Sequence, residues 1–267
     1  MWSNIYQHFD PIAIKLGFFT IHWYGLMYVF ALLSVLFVAK WIVKKDNLPI
    51  EQSQIDDYFV WAEIGVIVGA RVGYILFYDT HLSYYLLNPW QIFNPFMDGT
   101  FVGIRGFSYH GGVIGFLIGT ILFAKKSKIK FWLLVDISAL SAGFGYFFGR
   151  IGNFLNQELI GRGSDLPWAI FVDGKLRHPS TLYEAFLEGL MIFLILFLYR
   201  KRKTFDGELA MIYGMLYAIF RSFCELYRQP DIQLGFIYSN WLTMGQLLSF
   251  GIFISSIIGY YILKGKR

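Results

Sequence analysis

The chain has 267 residues, 56% of them hydrophobic, 20% aromatic and only 15% charged, with a mean hydropathy of +0.50. Soluble domains carry about a quarter charged residues, so a water-soluble globule is excluded and a single membrane-embedded helical body spanning residues 1–267 is expected. The net charge of +5 lies in short clusters between apolar blocks, which argues against nucleic acid as a partner, and the lone Cys224 excludes an internal disulfide and any multi-cysteine metal site.

In chain order, the N-terminal MWSNIYQHFDPIAIKLGFF has no basic stretch ahead of an apolar core and does not read as a cleaved signal peptide. Seven apolar segments follow, each near the length that crosses a bilayer as a helix. They lie at Thr20–Val43, Tyr58–Tyr78, Phe107–Ala124, Phe131–Phe148, Leu182–Tyr199, Glu208–Leu226 and Leu242–Leu263. Basic clusters follow the odd-numbered segments: Lys44-Lys45, then Lys125, Lys126, Lys128 and Lys130, then Arg200–Lys203, then Lys264, Lys266 and Arg267. All four fall on one side, which the positive-inside rule makes cytoplasmic. The N-terminus is then outside and the C-terminus inside. The outer segment 79–106 carries LNPWQIFNPF, a composition suited to an aromatic belt. Between WAIFV and KLRH, Asp173-Gly174 predicts a small β-hairpin outside the membrane.

Three sets of small residues recur at four-residue spacing: Gly65, Gly69, Gly73; Gly111, Gly115, Gly119; and Ser141, Gly145, Gly149. Each places small residues on one helix face, where backbones can approach closely. Packing is the expected role of these glycines, and the third set would let a neighbour close over Arg150.

An ionised side chain at mid-bilayer costs about 3 kcal/mol on insertion scales, so polar groups inside spans are functional candidates. Arg71 lies within GARVGYILFY, and anchoring or joining helices is an equal reading of it. His110 opens the third segment, with Ser108 and Tyr109 before it and two glycines after. Arg150 and Asn153 share a face at i, i+3, with Glu158 one turn on if the helix continues. Arg221 and Glu225 form an i, i+4 pair, with Arg228 three residues later; Glu225 could serve only to neutralise Arg221, and Arg228 only to meet lipid headgroups. Tyr183 and Glu184 begin the fifth segment. Several guanidinium groups make a fork-like claw for a phosphate, and a lipid headgroup supplies phosphate at that depth. A histidine could take a proton from a nucleophile. Cys224, alone in an apolar segment, reads as packing, so the nucleophile comes with a substrate.

Six segments together resemble the bacterial phosphatidylglycerol–prolipoprotein diacylglyceryl transferases: HWYGLMY (His22–Tyr28), GARVGYILFY (Gly69–Tyr78), HGGVIG (His110–Gly115), GRIGNFLNQELIGR (Gly149–Arg162), HPSTLYE (His178–Glu184) and FRSFCELYRQPD (Phe220–Asp231). The resemblance implies transfer of the sn-1,2-diacylglyceryl group of phosphatidylglycerol to the lipobox cysteine thiol of a prolipoprotein signal peptide. A thioether forms and glycerol 1-phosphate leaves, at the outer leaflet of the bacterial cytoplasmic membrane, with no metal or organic cofactor. It also implies a catalytic set of His110, Arg221, Glu225 and Tyr24. Arg150, Asn153, Glu158, Gly161, Arg71 and Arg228 are then the candidate contacts to phosphatidylglycerol. The base is either His110 or an Arg221/Glu225 arrangement. A transporter or lipid channel is the competing reading, against which the segments show no two matching halves.

Overall fold

A computed structural model describes residues 2–17, 19–97, 99–101, 103–230, 235–238 and 241–266. It divides into two compact units, Met1–Lys45 with Val135–Arg267, and Asp46–Leu134. The helices are α1 (Ile5–His8), α2 (Trp23–Lys45), α3 (Gln52–Phe77), α4 (Leu82–Leu87), α5 (Tyr109–Ser127), α6 (Phe131–Leu155), α7 (Ser180–Glu184), α8 (Ile192–Tyr199), α9 (Glu208–Cys224) and α10 (Met244–Gly265). A π-helical stretch, Ala185–Met191, joins α7 to α8.

Among the described residues, five helical runs are long and apolar enough to cross a membrane: Trp23–Lys45, Gln52–Phe77, Phe131–Leu155, Ser180–Arg202 and Met244–Gly265. The protein is thus a mostly helical, multi-span membrane protein. The other two expected segments coincide with α5 and α9, of 19 and 17 residues.

Helix ends differ from the hydropathy reading for local reasons. The first span starts at Trp23, not Thr20, because Phe19–His22 is a strand paired antiparallel with Ile12–Leu16. The second starts six residues before Tyr58, where Glu51 and Gln54 form a reciprocal capping box that supports a polar first turn. α6 runs past Phe148 to Leu155. Ser108 caps α5 by accepting from the Gly111 amide at 3.2 Å.

Ile170–Val172 pairs antiparallel with Lys175–Arg177. The turn between them holds Asp173 at φ 49° and Gly174 at φ 77°, the left-handed pair of a tight two-residue hairpin. Ile170 and Val172 bury one face against Phe154 of α6, with Ile5, Tyr6 and Leu182 around them. Two further antiparallel pairs join Phe96–Met97 to Thr100–Phe101 and Phe236–Tyr238 to Leu242–Thr243.

In the Asp46–Leu134 unit, α3 and α5 meet through their glycines. A Cβ on Gly69 would lie 2.4 Å from the Gly111 carbonyl oxygen, and one on Gly115 would lie 2.0 Å from that of Gly65. Such contact is what small residues four apart permit. The third set behaves differently. Gly145 meets Val35 and Ala31 of α2, but Gly149 faces open space, so it does not close a helix over Arg150. Instead α6 approaches the fifth span through Gly143 and Gly189; a Cβ on Gly189 would lie 2.7 Å from the Phe147 amide nitrogen. At the start of α9, buried Asp136 of α6 accepts from the amides of Gly207 (2.8 Å) and Ala210 (2.9 Å) and from Lys203 (2.9 Å). This carboxylate caps the helix and fixes it to α6.

Candidate active site

The last three turns of α6 carry Tyr146, Arg150 and Asn153, spaced to share one face. Arg150 donates through Nε to the Tyr146 hydroxyl at 2.8 Å and through Nη2 at 2.5 Å. Its Nη1 reaches Asn153 Oδ1 at 3.3 Å. Asn153 Nδ2 donates to Glu158 Oε1 at 2.6 Å, and Asn156 Nδ2 to Glu158 Oε2 at 3.2 Å. The helix does not continue to Glu158. It stops at Leu155, and the chain turns through Gln157 (φ 57°) and Leu159 (φ 55°). The turn folds the Glu158 carboxylate back onto Asn153.

Two wholly buried carboxyl groups on the fifth span, Glu184 and Glu188, face α6 and α9. They flank the start of the π-helical stretch, where the wider turn keeps positions four apart nearly in line. Glu184 Oε2 lies 3.0 Å from Arg150 Nε and 3.5 Å from Arg221 Nη1. Glu188 Oε1 lies 3.8 Å from Arg221 Nη1, and its Oε2 accepts a short hydrogen bond from Tyr146. On α9, Arg221 Nη2 donates a short bond to Glu225 Oε1. Glu225 also accepts from Thr243 Oγ1 at 2.7 Å and lies 3.4 Å from Arg228 Nη1. A Cβ on Gly245 would lie 2.6 Å from the Glu225 carboxyl carbon, so this carboxylate sits against bare backbone. Three arginines and three glutamates thus form one connected cluster. Removing either partner of a close pair such as Arg150–Glu184 or Arg221–Glu225 would leave a buried charge uncompensated, at a cost of about 3–5 kcal/mol.

Gly161 sits at the rim. Its backbone bridges to Arg228, and its carbonyl accepts from Arg177 Nη1 at 3.2 Å. A Cβ there would lie 2.3 Å from the His178 carbonyl oxygen and 2.9 Å from that of Tyr227. Only glycine lets these two strands of chain close up. Arg162 ties the same region by donating to the carbonyls of Arg228 (2.8 Å) and Glu225 (2.9 Å). His178 packs between Tyr183 and Tyr227, and burial holds its imidazole below the usual histidine range.

Tyr24 is 41% exposed near the start of α2. Its ring lies 3.4 Å from where a Cβ on Gly152 would stand, and it feels the charges of Glu158 and Arg150. His110 and Arg71 belong to the Asp46–Leu134 unit. His110 is exposed at the second residue of α5, against the edge of Tyr109. Arg71 is 7% exposed and donates to the backbone carbonyls of Ile92 (2.5 Å), Arg105 and Gly106, with Tyr85 Oη at 3.4 Å. Those bonds fasten the segment after α3, which favours the anchoring reading of this residue.

The geometry can be set beside known proteins. The prolipoprotein diacylglyceryl transferase family model matches residues 11–262. The chain belongs to this family. A phosphatidylglycerol–prolipoprotein diacylglyceryl transferase of Aliarcobacter butzleri is 57% identical over 265 residues, 99% of this chain and 97% of the relative. Proteins of the same description are 59% identical in Campylobacter curvus, over 98% of this chain and 97% of the relative, and 54% identical in Campylobacter jejuni, over 100% and 98%.

Of the residues expected from sequence, the fold brings Arg150, Asn153, Glu158, Arg221, Glu225 and Arg228 into one hydrogen-bonded and ion-paired group, with Gly161 and Tyr24 beside it. Sequence reading missed Tyr146, Glu188 and Thr243, and noted Glu184 only as the start of a span. The available signal was i, i+4 spacing: Tyr146 to Arg150, and Glu184 to Glu188, repeat the pattern that marked Arg221 and Glu225.

Proposed function

We propose that this chain transfers the sn-1,2-diacylglyceryl group of phosphatidylglycerol to the lipobox cysteine thiol of prolipoprotein signal peptides. The products are a thioether and glycerol 1-phosphate, and the step opens lipoprotein maturation. Family membership over nearly the whole chain supports the reaction. The observation that carries the site is the convergence of Arg150 and Arg221, from two different helices, on the single buried carboxylate of Glu184.

The chemistry needs such a pair. The cysteine sulfur attacks the glyceryl CH2 that bears the phosphate, and an S–C bond forms. The C–O bond breaks with its electrons going to the phosphate oxygen, and the thiol proton is released. The phosphodiester monoanion becomes a phosphomonoester dianion. Fixed guanidinium donors stabilise charge that grows in the transition state. Arg150 holds the phosphate, while Asn153 and Glu158 bond the glycerol hydroxyls of the headgroup and Gly161 keeps that wall closed. Arg221, oriented by Glu225 and Arg228, favours the thiolate, whose free thiol has a pKa of about 8.5. His110 is the alternative base, Tyr24 completes the catalytic set, and Arg71 fastens the segment after α3.

The finer placement is part of the same reading: seven spans, N-terminus outside, C-terminus cytoplasmic, and the 170–177 hairpin on the outer side. Both compact units act as one transferase domain in the bacterial cytoplasmic (inner) membrane. The charge bias of the four basic clusters supports this orientation, and with it a site at the outer leaflet, where phosphatidylglycerol and exported signal peptides are both present. The test is to incubate the purified protein with phosphatidylglycerol and a lipobox peptide. Diacylglyceryl-peptide by mass spectrometry is the expected product; lipid and peptide recovered unchanged by protein that binds both would refute the reading.

A further inference from the structure

The cluster raises a question of charge that diacylglyceryl transfer makes acute. Direct ion pairs join Arg150, Arg221 and Arg228 to Glu184, Glu188 and Glu225. If every carboxyl is ionised, these six side chains sum to zero, and Glu158, bonded through Asn153 to Arg150, adds a further negative charge. A phosphodiester entering beside it would meet no net positive charge, and the phosphomonoester dianion would be held still less well. In a site of low dielectric that deficit is large.

The three carboxyl groups are not equally compensated. Glu225 accepts from Arg221, Thr243 and Arg228. Glu184 stands between two guanidinium groups, at 3.0 and 3.5 Å. Glu188 has one loose guanidinium contact, at 3.8 Å. Its Oε1 is buried without a hydrogen-bond donor among the described residues. Its Oε2 partner is Tyr146, whose hydroxyl oxygen already receives two N–H bonds from Arg150. The groups facing Glu188 are Tyr146 and Arg150 on α6, Arg221 and Cys224 on α9, and Glu184 on its own span. One weak ion pair, one phenol and the weak donor of the Cys224 thiol offset little of the penalty for burying a carboxylate completely.

We infer that Glu188 is a positioning residue that stands protonated in the resting protein, removing one negative charge from beside the Arg150–Arg221 pair that meets a phosphodiester. Tyr146 links the two roles. It donates to Glu188 and accepts from Arg150, so the state of the carboxyl is transmitted to the guanidinium through one hydroxyl. The arrangement rests on the transferase reading for its purpose but not for its existence.

Two measurements test it, and they fail separately. Difference infrared spectroscopy of the wild-type protein against Glu188→Gln, without any substrate, should show the C=O stretch of a protonated carboxyl that the variant lacks. A difference showing only carboxylate bands overturns the proposal whatever the protein catalyses. Phosphatidylglycerol binding in detergent micelles should weaken at alkaline pH in the wild type, and Glu188→Gln should move that weakening at least about one pH unit upward, a tenfold change in proton concentration. Where Glu188→Gln does not fold, Tyr146→Phe replaces it, because removing the donor to the carboxylate also favours the protonated form. An alkaline limb that stays in place or moves downward in the folded variant overturns the inference. Loss of diacylglyceryl-peptide formation with the infrared band intact would instead count against the transferase reading.

Discussion

Arg150 is held by three side chains at once: the Tyr146 phenol, whose ring centroid is 4.8 Å from the guanidinium carbon, the Asn153 amide and the buried Glu184 carboxylate. A planar fork satisfies these partners together, whereas lysine offers one point charge on a flexible stem. Arg150→Lys is therefore expected to insert and fold but to lose about a hundredfold in turnover, the scale of one lost donor to a developing oxyanion. Diacylglyceryl transfer by matched amounts of both proteins checks this, and full activity in the variant would reduce Arg150 to a helix anchor. At this scale the sequence was legible where polar residues recur at i, i+3 or i, i+4 within an apolar run, as at Arg150 with Asn153 and Arg221 with Glu225. It was not legible for Glu188 or Tyr146. Each has a polar neighbour four residues away, Arg150 for Tyr146 and Glu184 for Glu188, but the Tyr146–Glu188 bond between two helices is supplied only by the tertiary fold. Arg71, an intramembrane arginine for which sequence reading left anchoring and function equal, donates to the backbone carbonyls of Ile92, Arg105 and Gly106 and to the Tyr85 hydroxyl.

Among the elements, α3 and α5 show how composition sets distance. Their glycines place backbone against backbone, so any side chain on the shared face must force the helices apart. Gly115→Val is expected to lower the thermal midpoint in detergent by several degrees, consistent with an overpacking cost of about 1–3 kcal/mol. Gly251→Ala on α10, where a Cβ meets nothing within 4 Å, should hold or raise it, since alanine is favoured over glycine in a helix interior by roughly 0.5–1 kcal/mol. Equal midpoints for the two variants would show that the α3–α5 contact contributes little. Helix positions were readable from apolar runs because a bilayer demands them. Helix ends were not, since caps such as Glu51 with Gln54 and hairpins such as Ile12–Leu16 with Phe19–His22 depend on hydrogen bonds that hydropathy ignores. Four-residue spacing alone also misled at Gly149, because small residues permit close approach without compelling it.

For the whole molecule, orientation decides which leaflet feeds the site. Asp165 and Lys125 are both exposed, and the positive-inside rule puts them on opposite sides. An impermeant maleimide added to intact spheroplasts should label Asp165→Cys and leave Lys125→Cys unlabelled until the membrane is opened. The reverse pattern would put the hairpin in the cytoplasm and remove exported peptides as substrates. The experiment is clean because Cys224, the chain's one cysteine, is 0% exposed. That burial bears on the chemistry as well. An enzyme that offers an activated glyceryl carbon to a visiting sulfur is at risk of alkylating itself, and each such event would end its working life. With its one thiol packed in the interior, the protein keeps no competing nucleophile of that kind at its surface. The peptide's cysteine then has no rival, and the catalyst survives its own reagent.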